Sequence, residues 1–395
     1  MGKQNKLDDP VDFSLAVGGL LYKVYLKTGL AKKPLFRYKR RIIIICLFAW
    51  LPLLILAIFS GVAFSGVKVP FIYDIDVHVR FLLSLSLLIY AEVIAHERLQ
   101  VIVQQFLKCN IISLEERQKF NSIIASAVRQ TNSVAVEIIL ILFVITVGHF
   151  ISEKYFPFGA STWYASKVND VVQLTPTGYW YAFISLPLFQ FILLRWYYRM
   201  AIWYRFLWQV SRLRLNLNSL HPDRAGGIGF LAISVYAFEP LLLAHSVLLS
   251  GMIFNRIWNA GATFLQFQSE IISIMVFLII LPLAPLVFFI ISMIKTKRSG
   301  TLEYDIVANR YVNSFRQKWI DSNSKNNEAL LGAQDIQSLA DLGNSFEVSS
   351  QMRIVPFGRS SIISILILTA FPLLPLIFTI MPLEKIIHQA VGVIF

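Results

Sequence analysis

Apolar and polar residues follow one another along this chain in blocks rather than in alternation. Seven blocks approach twenty predominantly apolar residues: Ile42–Phe64, Phe81–Leu99, Val134–Phe150, Gly178–Trp196, Phe230–Phe254, Ile271–Ile294 and Ser361–Met381. A block of that length, wound as an α-helix, matches the hydrocarbon thickness of a bilayer. A helix also satisfies its own backbone groups where no water is available to do so. The pattern predicts an all-α integral membrane protein with about seven transmembrane helices and long cytoplasmic helical extensions. The fifth block is interrupted by Glu239 and Pro240.

Helical periodicity continues past several blocks. After the second, residues 96–109 keep it, and Ser113-Leu114-Glu115-Glu116 has the form of a capping box opening a new helix. No Pro or Gly follows before Val147, so a long hairpin over about 97–133 is expected. Interleaved Arg and aromatic residues after Trp196 (Arg199, Trp203, Arg205, Trp208) match an interfacial belt with snorkelling arginines. Tyr304, Val307, Tyr311, Phe315 and Trp319, then Ile336, Leu339, Leu342 and Phe346, mark two amphipathic helices expected to pack on the hairpin and on the fourth helix's extension. Val11–Leu30 forms a further amphipathic stretch expected to lie at the inner interface. The chain thus divides into an N-terminal segment (1–41), six transmembrane helices with their hairpin and a loop at 221–229 (42–295), a cytoplasmic amphipathic segment (296–359), and a last helix with a short tail (360–395).

Charge orients these blocks. With the N-terminus inside, thirty Lys and Arg fall on the cytoplasmic side and six outside, the bias that sets membrane topology. This arrangement expects a multi-pass protein of the cell (inner) membrane with its C-terminus outside. The net charge of +13 would point to nucleic acid in a soluble protein, but here it flanks apolar blocks. With 56% hydrophobic and 15% charged residues, soluble multidomain architectures are excluded. Cys46 and Cys109 form neither a redox nor a metal spacing.

An ionisable group inside a span is a functional candidate, because its charge is costly there. Glu239, Glu92 and Glu137 qualify, with Glu239 first because Pro240 frees a carbonyl beside it. His96 follows Glu92 by one helical turn, and Gln190 and Arg195 face the same layer from the fourth span. These six mark either an ion or proton pathway or a structural set of interhelical hydrogen bonds. Asp74 and Asp76 make an acidic patch on the first outer loop, explained equally by solvation. Leu281-Pro282-Leu283-Ala284-Pro285 and Phe371-Pro372-Leu373-Leu374-Pro375 place paired prolines where they would loosen the last two spans.

The second constellation is His221, Asp223, Arg224, Gly226, Gly227 and Gly229. Its glycines permit close approach and positive φ, so the loop is expected to bind an anionic ligand or to act as a hinge. No esterase elbow, zinc helix or His/Cys cluster is present in the sequence, and neither cofactor nor metal is expected. Three functions remain open: a channel or secondary transporter for protons or small ions; an enzyme acting on a lipid or phosphorylated substrate at the inner interface; and a non-catalytic signalling or docking subunit. The expected partners are the bilayer, a small ion or anionic ligand, and a second copy of the chain or a cytoplasmic protein, with no nucleic acid.

Overall fold

The computed structural model describes residues 13–30, 35, 37–148, 161–168, 171–321 and 332–379. Six helices in it are long and apolar enough to cross a membrane, or seven if a pair of helices bent by 43° is one span. A short helix α1 (Gly19–Lys27) precedes α2 (Tyr38–Phe59). Then come α3 (Ile75–Lys108), the bent pair α4 (Leu114–Thr131) and α5 (Val134–Thr146), and a β-hairpin of β1 (Ala165–Val168) and β2 (Val171–Leu174). The chain continues through α6 (Pro176–Ser211), the short α7 (Ile233–Ala237), α8 (Glu239–Ala260), α9 (Phe264–Trp319), α10 (Gln334–Ser350) and α11 (Arg359–Thr379).

Helix lengths follow from the apolar blocks plus their polar continuations. The 22 residues of α2 span about 33 Å, one hydrocarbon thickness. The 34 of α3 and 36 of α6 span about 50 Å each, so both project beyond the apolar layer. These two helices carry the core: α3 packs on α2, α7, α8 and α6, and α6 packs on α4, α5 and α9. Loops at alternate connections share an end. Ile112 pairs with Leu215, and Gly300 lies against Ser219 and Ser349 at one end; Trp163 bonds Asp74, and Asn259 bonds the Tyr73 carbonyl, at the other.

Several expectations need correction. The helix starting at Leu114 does form, but Ser113 makes no side-chain cap; the capping box that does form is Thr263 with Gln266. The run to Val147 is not continuous. It bends by 43° after Thr131, where the Asn132 side chain donates to the Val128 carbonyl and Ser133 turns extended. The fifth crossing begins at Glu239, not Phe230: Pro240 sits in the first helical turn, where its missing N–H costs nothing. Trp196 and Trp203 are buried core side chains rather than a belt.

The described part of the N-terminal stretch enters the bundle rather than forming one helix throughout. Phe13, Leu15 and Ala16 are buried in the bundle, with Phe13 packed on the rings of Trp203 and Phe206, and only Gly19–Lys27 is helical. The amphipathic pair formed by the end of α9 and α10 packs chiefly on itself, tied by Lys318 and Trp319 donating to Asp335. Both proline pairs mark stretches of tighter 3₁₀ winding, Ala284–Phe289 and Phe371–Thr379. Met381 and residues 149–150 of the expected spans lie outside the described residues.

Candidate functional site

Five charged side chains meet where α2, α3, α5 and α6 converge with the N-terminal segment. Glu92 stands on α3 and Glu137 on α5; Arg41 comes from α2, and Arg195 and Arg199 from successive turns of α6. None is more than 4% exposed. Glu92 Oε1 accepts from Arg195 Nη1 at 2.8 Å and from Arg199 Nη1 at 2.9 Å, while its Oε2 takes Arg41 Nη2 at 2.9 Å. Glu137 Oε1 accepts from Arg195 Nε at 2.7 Å. Charge-assisted bonds of this length are the strong class, and burial removes the screening that weakens them in water.

The N-terminal segment closes this cluster with its backbone. Arg195 Nη2 donates to the Gly18 carbonyl at 2.9 Å, Arg199 Nη2 to the Ala16 carbonyl at 3.1 Å, and the Leu21 N–H donates to Glu137 Oε2 at 2.9 Å. Ser14 Oγ accepts from the N–H groups of Ala16 and Val17, which leaves its hydrogen for His96 Nδ1 at 2.8 Å. Gly19 is required for this approach. Its φ is +85°, and a Cβ there would lie 2.7 Å from Glu137 Cδ and overlap Oε1.

Of the six pathway candidates, Glu92, Glu137, His96 and Arg195 therefore meet in one place. Gln190, five residues before Arg195, points about 140° away from it around α6 and bonds none of them. Glu239 stands apart. It opens α8, pairs with Arg98 at 3.4 Å and is 27% exposed at its side chain. Sequence reasoning missed Arg41, Arg199, Ser14 and the backbone of residues 16–21. Arg199 was legible as one turn on from Arg195, although the belt reading assigned it to the interface.

The glycine loop is filled from within. Asp223 Oδ1 accepts from the N–H groups of Ala225 at 2.7 Å and Gly227 at 3.2 Å, and Oδ2 from Gly229 at 2.8 Å; His221 Nδ1 lies 2.9 Å from Oδ1. Amides that suggested an anion cradle thus hold the chain's own carboxylate. Gly226 and Gly227 have positive φ, as does Arg224; Gly229 instead allows close approach of Asp223. Arg353, beyond α10, locks the loop by donating to the carbonyls of Asp223 and Arg224. Burial alone would raise the Asp223 carboxyl. The amides of Ala225, Gly229 and Gly227 and the His221 ring outweigh it and hold the group below the ordinary aspartate value.

At the opposite end, Asp74 is not a solvated loop residue. It is 5% exposed, accepts from Trp163 Nε1 at 2.8 Å, and has Oδ1 buried without a partner. Burial first and neighbouring Asp76 second push its pKa up to about 6, against the lowering effect of the Trp163 bond. No protein-family model, curated sequence or solved structure matches the chain, so its functional reading rests on the chemistry of these residues.

Proposed function

We propose that this polytopic membrane protein is a conduit for small ions, with the five-charge cluster in its path and the Phe13–Lys27 segment as its closure. The observation that carries the reading is a set of buried ionisable groups, in the apolar body of a helical bundle, sealed by a stretch of non-helical chain. Well-packed apolar side chains would hold four helices together at least as well as buried ion pairs do. Ionisable groups retained within a membrane bundle mark pathways for ions and protons. The closing segment is held by hydrogen bonds to carbonyl and amide groups as well as by packing, and such contacts exchange for water or ion when the segment lifts. In this reading the N-terminus and the paired-helix extension face the cytoplasm, and the protein sits in the cell membrane with its C-terminus outside.

The test is ion flux in proteoliposomes, comparing the full chain with one lacking residues 1–18 and with Glu92→Gln. The expected result is low flux in the full chain, raised by the truncation and altered by Glu92→Gln. Silence in all three, with circular dichroism showing folded protein, removes the conduit reading. A second reading, docking of a cytoplasmic protein or a second copy, is favoured by exposed Leu302, Ile306, Val312 and Ile336 on the paired helices. It is tested by whether charged substitutions at these positions abolish a co-purifying partner or a self-association seen by sedimentation.

A further inference from the structure

Among the described residues, charge in the cluster does not balance: Arg41, Arg195 and Arg199 face Glu92 and Glu137, three positive groups against two negative. Both oxygens of Glu92 and both of Glu137 already accept hydrogen bonds, as do the carbonyls of Ala16, Gly18 and Ile89. Donors are in surplus. Arg41 is fully buried, yet among the described residues its Nε and Nη1 have no acceptor, and Nη2 alone is hydrogen-bonded, to Glu92 and to the Ile89 carbonyl at 3.3 Å. A buried charged group with unmet N–H groups is costly enough to call for a partner.

We propose that the cluster binds one small monovalent anion, of halide size, at a free N–H of Arg41. The inference deepens the conduit reading and rests on it for the identity of the transported ion. One negative charge would bring the cluster to neutrality, which sets the valence. The side-on fork with which arginine grips a carboxylate or phosphate needs Nε and Nη2 together, and Nη2 is already on Glu92. What remains suits a compact acceptor on one N–H edge rather than a bidentate oxyanion. A cation would meet three guanidinium groups here, and three of the four described carboxylate oxygens already face one of them. The Tyr25 ring of α1 lies over the Arg41 guanidinium, 5.0 Å from its carbon to the ring centroid, so the helix that closes the N-terminal segment also covers the anion site.

The experiment is a bromide titration of the purified full-length protein in detergent, at ionic strength held constant with gluconate, following the melting temperature. The wild type is expected to show a saturable rise that is unchanged when sodium replaces potassium. Arg41→Gln is expected to lose the rise, and Arg41→Lys, which keeps the charge, to need at least tenfold more bromide. Equal melting in bromide and gluconate, or a saturable rise that Arg41→Gln retains, overturns the site. A linear rise shared by both proteins is a general salt effect and overturns it too. Saturable, Arg41-dependent binding without flux in liposomes leaves the site standing and removes the conduit; bromide flux indifferent to Arg41 does the reverse.

Discussion

Glu92 is the residue on which the cluster turns, because three arginines from two helices reach it at once. Replacement by Gln keeps the volume and removes the charge, so three guanidinium groups would face one carboxylate instead of two. The new carboxamide also turns an NH₂ group toward a guanidinium, setting donor against donor. Removing one partner of a buried ion pair costs about 3–5 kcal/mol, chiefly through the charge left behind. Arg199→Gln in the same chain would restore the single-charge excess of the wild type. The double variant should therefore recover about 1–3 kcal/mol of the summed single losses, the coupling typical of contacting groups. Reversible unfolding in mixed micelles of rising SDS fraction, read by circular dichroism, measures all four corners of the cycle. If Glu92→Gln lies within about 1 kcal/mol of wild type, or the two substitutions simply add, the pairs are not coupled as described and the argument fails.

Gly19→Ala should strain the backbone by about 1–3 kcal/mol and push Glu137 off Arg195, so that trypsin releases the N-terminus faster; Gly29→Ala, with similar positive φ but open space, is the control and should not. The lowered Asp223 carboxyl contributes stability that is present above the ordinary aspartate value and lost as pH falls through its own. Protection of the Ala225, Gly227 and Gly229 amides, taken against their intrinsic exchange rates, should accordingly fall on acidification in wild type and be low already at neutral pH in Asp223→Asn. Asp74 has the opposite sign: its contribution is full below 3.8 and is lost as pH rises through about 6. That shift corresponds to about 3 kcal/mol, so between pH 4 and pH 7 wild type should lose about that much relative to Asp74→Asn, and a constant gap would refute the assignment. Cys109 is exposed and Cys46 buried, so an impermeant maleimide should label Cys109 alone, and only from the cytoplasmic side; labelling from outside would reverse the topology.

The crossings were legible because lipid imposes length and polarity on every span, and each of the seven apolar blocks meets a helix of the fold. Glu92, Glu137 and Arg195 were legible for the same reason, being ionisable groups in apolar surroundings. Arg41 and Arg199 were not distinguished from the many basic residues that flank spans, since periodicity cannot tell an arginine that snorkels from one that turns inward. The closing segment left almost no trace. Its contribution is made by the carbonyls of Ala16 and Gly18 and the N–H of Leu21, and backbone groups have no residue-type signature. Glu239 ranked first because Pro240 would free a carbonyl beside it deep in a span starting at Phe230, whereas the helix starts at Glu239 itself, with Arg98 in reach. Asp223 followed by three glycines was a local signal for a self-capped loop, but the same pattern serves a ligand equally well.

The closing segment has a consequence for how the chain is made. Residues 13–21 are translated before the side chains that hold them, which are spread over Glu92, His96, Glu137, Arg195 and Arg199, the last some 180 positions later. The N-terminus must therefore wait, undocked, through the insertion of at least four helices. During that interval Arg195 and Arg199 enter the bilayer with only Glu92, Glu137 and each other for company. The segment that precedes its partners in synthesis follows them in placement, and a bulky domain fused close before it would obstruct maturation even where it leaves insertion untouched.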